Sequence, residues 1–150
     1  MIKNLFLTLL LFSSFPAKDV QIKADHTFED KVEQVTDTIK RTYKVSHYGH
    51  GDGFHGKLMA NGEVMDKHKL TAASPLIKGT NKPKYKLGTR LLVINPKNGK
   101  SVEVVITDTG GFRKKGRELD LSYASFCALF GSGGKGIGSI NIVVIEENKL

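Results

Sequence analysis

At 150 residues, with 39% apolar and 25% charged side chains, the chain is sized for one globular domain plus a flanking segment and is no disordered tail. Its single cysteine excludes an internal disulfide framework, and the lack of tryptophan, with 8% aromatics, argues against a stacking platform for single-stranded nucleic acid. The net charge of +8 is spread along the chain without a Lys/Arg cluster. That pattern gives no reason to expect a nucleic-acid partner; it suits an anionic polymer such as bacterial cell wall, or solubility alone.

Residues 1–17 read as a signal peptide: Lys3 supplies the positive start and Leu5 to Phe12 (LFLTLLLF) the short apolar core. The run is too short to span a bilayer, and no cysteine follows it for lipid attachment. The expectation is therefore export to the periplasm or outside the cell, as neither a lipoprotein nor a protein with a stable membrane anchor. Residues 18–42 are polar, with Phe28, Val32, Val35 and Ile39 at helical spacing and a Thr27/Asp30 capping pattern; they read as a tether or a short amphipathic helix.

From Tyr43 the texture becomes that of short strands. TYKVSHYG runs from a strand into a loop, and the glycine-punctuated HGDGFHGKLMANGE is irregular. LTAAS, from Leu70, is a short apolar piece. Gly79 to Lys86 (GTNKPKYK) reads as a polar insertion before the strand TRLLVI, which begins at Thr89. In the turn NPKNG, the Asn98-Gly99 pair suits a tight hairpin with positive φ, and SVEVVITD is the returning strand. LSYASFCALFG is a helix capped by Ser122 and ended by Gly131, with Cys127 as packing; Ser139 to Glu146 (SINIVVIE) is a final strand. The sum is a mainly β domain over residues 43–147, a small barrel with one or two short helices.

One stretch raises a chemical question. VVITDTGGF places Asp108 where an apolar strand ends, with Gly110 and Gly111 just beyond. An ordinary turn explains this pattern, and so does a catalytic carboxylate on a rigid strand end beside a loop that a ligand can approach. Glu63 and Asp66 in NGEVMD are three residues apart, which on a helix or tight turn would put both carboxylates on one side. His47, His50, His55 and Asp52 crowd one glycine-rich loop, and His68 follows. Their spacing matches no strong metal signature; they and Tyr48 suit the wall of a sugar groove, or simple solvation. Asp120, just before the Ser122 helix, is expected to be structural.

The ordered series SHYG, FHGKLMANGEVMD, LTAAS, LGTRLLVINPKNGKSVEVVITDTGGF, RELDLSYAS and GSINIVVIE resembles the rare lipoprotein A (RlpA-like) family of endolytic peptidoglycan transglycosylases. The resemblance implies a six-stranded double-psi β-barrel and cleavage of peptidoglycan glycan strands without water, leaving 1,6-anhydro-muramic ends, in wall remodelling or septation. It implies Asp108 as general acid/base with Asp66 and Glu63 assisting; Tyr48, His55 and Ser74 as groove residues; and neither metal nor organic cofactor. Ser74 stands where the family commonly has histidine, Thr109 where it has arginine and Gly111 where it has proline. The alternative is a non-catalytic, expansin-like glycan-binding barrel.

Overall fold

The structure, a computed structural model, describes residues 40–134 and 136–148. The signal peptide and nearly all of the 18–42 tether therefore lie outside the described residues. Six strands follow in chain order: β1 (Tyr43–Tyr48), β2 (Thr71–Pro75), β3 (Arg90–Ile94), β4 (Ser101–Gly110), β5 (Arg117–Ser122) and β6 (Ile137–Glu146). A 3₁₀ turn (Phe112–Lys115) precedes β5, and helix α1 (Tyr123–Phe130) follows it. Among the described residues no helix is long and apolar enough to cross a membrane.

The strands close into a barrel in the order β1-β5-β2-β4-β3-β6, with β6 pairing back on β1. Two of the pairings, β1 with β5 and β2 with β4, are parallel; the others are antiparallel. Strand alternation fills the interior. Val102, Val104 and Ile106 of β4 point inward, as do Leu91 and Val93 of β3, while Glu103 and Arg90 face water and pair with each other. With Val45, Ala72, Leu119, Leu121, Ile140 and Ile142 they form one continuous core. Each such side chain stabilises the fold by roughly 1.5–3 kcal/mol through removal of apolar surface from water.

Helix α1 packs against β4, β5 and β1 and adds Phe126 and Leu129 to that core. Its ends are as the sequence predicts. The Ser122 hydroxyl accepts from the Ser125 amide at 3.2 Å, and Gly131, at φ 79°, donates to the Cys127 carbonyl at 2.8 Å.

Three local expectations change. The β3–β4 connection is not a tight hairpin with Asn98 at positive φ. It spans Asn95 to Lys100, only Gly99 has positive φ, and the Asn95 and Asn98 side chains donate to the Leu129 carbonyl at 3.0 and 3.1 Å. The loop is thus shaped by its grip on the end of α1. β6 starts two residues earlier than the apolar run suggests, at Ile137. β5 shows no clear strand signal because charged Arg117, Glu118 and Asp120 interrupt it, yet it is ordered by partners on both edges.

Candidate active site

Asp108 owes its direction to an irregularity in β4. Along the parallel β2–β4 pair, Ala72 lies opposite Ile106 but Ala73 lies opposite Asp108, so Thr107 is an extra residue. Without it, the alternation of Val102, Val104 and Ile106 would send Asp108 into the core. The bulge carries the carboxylate to the face of Ala73 instead. Asp108 therefore sits inside β4, two residues before its end at Gly110, and not at the strand terminus.

Over that face lies a second small apolar cluster of Tyr48, Met59, Met65, Ala73 and Phe112. The segment between Gly56 and Met65 folds onto it as a miniature hairpin: Met59 N–H donates to the Glu63 carbonyl at 2.8 Å, and Met65 N–H to the Lys57 carbonyl at 2.7 Å. Its tip grips β4. Asn61 N–H donates to the Thr107 carbonyl at 3.1 Å, and Ala60 N–H donates to Oδ1 of Asp108 at 3.0 Å. The Thr109 amide donates to the same oxygen at 2.8 Å. Oδ2 has no hydrogen-bond partner among the described residues, and the side chain is partly exposed. One oxygen is anchored and the other is available.

The acidic pair is arranged differently from the helical spacing read in the sequence. Residues 63–66 are turn and extended backbone with Met65 buried between the two acids, so Glu63 and Asp66 are not on one helical face. Glu63 is exposed, and its carboxylate has no partner among the described residues. Asp66 accepts from the His68 amide at 2.9 Å. That bond, and then the adjacent charges of His68, His55 and Lys69, hold its pKa below the ordinary carboxylate value. Asp66 is thus an anion at neutral pH.

The histidines divide into two groups. His55, whose Nδ1 accepts from the Lys67 amide at 3.3 Å, stands edge-on to His68 near Asp66. His50 stacks on Tyr123 at 4.1 Å, and His47 packs against Tyr123 and Phe126 of α1. Asp52 organises the loop between them by accepting from the Gly49 and Phe54 amides. Among the described residues no three His, Cys, Asp or Glu side chains converge as a metal site would require.

Two groove residues read from the sequence lie beneath the surface. Tyr48 is 6% exposed, its hydroxyl turned to Met59 Sδ at 3.8 Å. Burial, and then the charges of Asp108, Asp120 and Asp52, push its pKa up, so it stays a neutral phenol under the site. Ser74 is fully buried and has no surface to offer a ligand; its hydroxyl accepts from the Tyr85 amide at 2.9 Å. That bond helps to dock the Gly79–Lys86 insertion, along with Glu118, which accepts from the Tyr85 hydroxyl at 3.0 Å and pairs with Lys84. The exposed apolar surface near Asp108 comes from residues the sequence reading passed over: Phe54, edge-on to Tyr48, and Leu58 and Val64, which are bridged across the miniature hairpin. An aromatic between glycines in the loop (GDGFHG) was the available signal for Phe54.

The profile of the family described as lytic transglycolase, a double-psi β-barrel family, matches residues 42–142. The chain belongs to this family. Among its relatives, the "Endolytic peptidoglycan transglycosylase RlpA" of Vibrio cholerae is 39% identical over 106 residues, 71% of this chain and 36% of that one. Proteins of Nostoc sp. and Synechocystis sp., each named "Probable endolytic peptidoglycan transglycosylase RlpA", are 30% and 37% identical over 89% and 73% of this chain, and 33% and 31% of their own lengths. The chain thus spans about a third of the length of these relatives. A mutant expansin of Clavibacter michiganensis, solved in complex with cellohexaose, superposes with a TM-score of 0.50 at 25% identity, over 73% of this chain and 53% of that one. The closed six-stranded barrel is the double-psi fold of this family, as the sequence implied.

Asp120 has the structural part expected of it, by a different route from the helix N-terminus. It accepts from the Ser46 hydroxyl, which also takes a hydrogen bond from Arg117, and it faces the Arg117 guanidinium at 3.8 Å. Burial nevertheless outweighs these contacts and pushes its pKa above the ordinary value. The native state then holds this proton more tightly than the unfolded chain, so Asp120 costs stability as pH rises through its native pKa toward neutrality. In thermal melts across pH, the Tm difference between Asp120→Asn and the parent should move in the variant's favour as pH rises; movement the other way would contradict the assignment.

Proposed function

We propose that this barrel is a lytic transglycosylase acting on the glycan strands of peptidoglycan, with Asp108 as the single acid and base. The observation that carries the reading is the half-anchored carboxylate, with Oδ1 held by two amides and Oδ2 without a partner among the described residues. Oδ2 donates its proton to the glycosidic oxygen as the bond to the anomeric carbon breaks. The 6-hydroxyl of the same sugar closes on that carbon and returns a proton to Oδ2. No water is consumed, the product ends in a 1,6-anhydro ring, and the carboxyl group finishes as it began.

Asp66 has a different part from the one its spacing suggested. Held ionised by the His68 amide, it supplies negative charge for the cation developing at the anomeric carbon. Phe54, Leu58 and Val64 offer apolar surface for sugar rings, with Glu63 and His55 at its edge to meet hydroxyls. Export through the signal peptide, and work in wall remodelling or septation, complete the proposal.

A second reading has one observation in its favour. Position 74 holds a buried serine, so no imidazole stands beside Asp108 from β2. A barrel of this kind could bind glycan without turnover, as the expansin solved with cellohexaose holds a glycan. One assay separates the two: incubate the protein from Lys18 onward with peptide-free glycan strands across pH, and examine the products by mass spectrometry. Anhydro-muramic ends are expected; binding with no such product at any pH would leave the binder.

A further inference from the structure

Basic residues that are scattered along the sequence are gathered by the fold. Residues 76–86, which include the insertion, and residues 111–117, around the 3₁₀ turn, carry eight cations and no Asp or Glu. The two segments lie side by side: Leu76 N–H donates to the Gly110 carbonyl at 3.1 Å, and the Tyr85 hydroxyl donates to Glu118 at 3.0 Å. A cleft of about 970 Å³ runs between them, with Leu76, Ile77 and Lys78 on one side and Gly111, Arg113 and Lys114 on the other. The insertion is itself a firm hairpin. Ile77 N–H donates to the Lys82 carbonyl at 2.8 Å, Lys84 N–H to the Pro75 carbonyl at 2.9 Å, and the Tyr85 amide to the buried Ser74 hydroxyl at 2.9 Å.

Two of the eight cations are engaged within the fold, Lys84 by Glu118 and Arg117 by Asp120. The other six, Lys78, Lys82, Lys86, Arg113, Lys114 and Lys115, are exposed, and none is held in an ion pair among the described residues. Like charges on one face repel one another, and an anionic partner relieves that repulsion. The spread of the charge decides between partners. Lys78, Arg113 and Lys114 line the cleft, whereas Lys82, Lys86 and Lys115 lie outside it on both segments. A small anion in the cleft would need only the first three; a broad anionic surface meets all six. Nor does the face offer a ring on which bases could stack, since Phe112 is buried in the small cluster and Tyr85 packs against the barrel core. Ile77, 41% exposed among the charges, adds an apolar contact. A broad layer of phosphate charge with apolar chains just beneath it is an anionic bilayer.

We propose that this face docks the domain on a bilayer containing anionic phospholipid, with one phosphate headgroup in the cleft between Lys78, Arg113 and Lys114. The proposal stands apart from the glycan reading, and neither requires the other. Basic clusters of this size are drawn to anionic membrane surfaces, and the attraction falls off within a Debye length, so the attachment is reversible and sensitive to salt.

Flotation of the chain from Lys18 onward with phosphatidylcholine vesicles, with and without phosphatidylglycerol, tests it. The parent should float only with the vesicles that contain phosphatidylglycerol, and less of it as salt rises. Lys78→Gln/Lys114→Gln should weaken this binding about 25-fold, at about fivefold for each cation removed. The charge-matched control Lys97→Gln/Lys100→Gln, at the opposite end of β4, should bind as the parent does. All four side chains are exposed, so both variants should keep the parent's Tm, which shows that the fold is intact. Equal losses in the two variants would trace the binding to net charge alone and overturn the proposal. Equal flotation with and without phosphatidylglycerol overturns it too. Purified sacculi and duplex DNA serve as competing surfaces. If Lys78→Gln/Lys114→Gln loses more of its binding to either of these than to the vesicles, the face belongs to that polymer and the membrane proposal falls.

Discussion

Asp108→Asn should reduce the yield of 1,6-anhydro ends at least 100-fold while changing stability by no more than about 1 kcal/mol. The first figure is the low end of what proton transfer by a positioned side chain contributes. The second follows from the anchoring geometry. The amide oxygen of asparagine can still accept from Ala60 and Thr109, the two donors that hold Oδ1 at 3.0 and 2.8 Å. Only the oxygen without a partner changes character, from one that gives and takes a proton to an NH₂ that cannot. Asp108→Ala should differ in kind: it removes the acceptor for Ala60 N–H, so the Gly56–Met65 hairpin loses one of its two grips on β4, and stability falls as well. Full activity in the asparagine variant, by mass spectrometry of digested strands, would place the acid elsewhere. Asp66→Asn should be the milder change, because it keeps the His68 amide bond and loses only negative charge.

The barrel was legible because its strands announce themselves by alternation. VEVVI and RLLVI each place every second residue inward, and the caps of α1 are written in Ser122 and Gly131. The site was legible only as a set of residue types. The bulge at Thr107, which decides where Asp108 points, is one extra residue in one strand and leaves no mark in composition, since threonine is at home in any strand. The hold of Ala60 on Asp108 is a backbone amide, so no side chain encodes it. Glu63 and Asp66 misled because a spacing of three means one face only if the segment is helical, and here it is a miniature hairpin around buried Met65. Tyr48 and Ser74 have the right chemistry for sugar, but their burial depends on the loop and the insertion folding over them, which are contacts made across the chain.

The largest stability effect should come from Phe126→Ala, at about 3–5 kcal/mol. Phe126 is 2% exposed, its ring 4.4 Å from Phe130 and 4.9 Å from His47, and it joins α1 to the barrel core. The helix has eight residues, too few to hold itself together in water, so it persists because of what it buries. Truncation leaves a hole bounded by barrel strands that cannot collapse inward without breaking their ladders. For a domain of this size the loss corresponds to a fall in Tm of at least about 12 °C. Urea titration tells how the fold responds. A lower midpoint with unchanged slope means the domain still unfolds as one unit, and the cost is the cavity. A reduced slope means α1 has detached in the native state, and the surface it covered is already exposed. The first outcome is expected, because α1 is tied at both ends apart from Phe126: by the Ser122 hydroxyl, which donates to the Lys69 carbonyl and accepts from Ser125, and by Asn95 and Asn98 on the Leu129 carbonyl. The apolar cluster under Asp108 contains no residue of α1. Glycan binding measured below the variant's transition should therefore match the parent's, which separates the core that holds the barrel shut from the small cluster that carries the site.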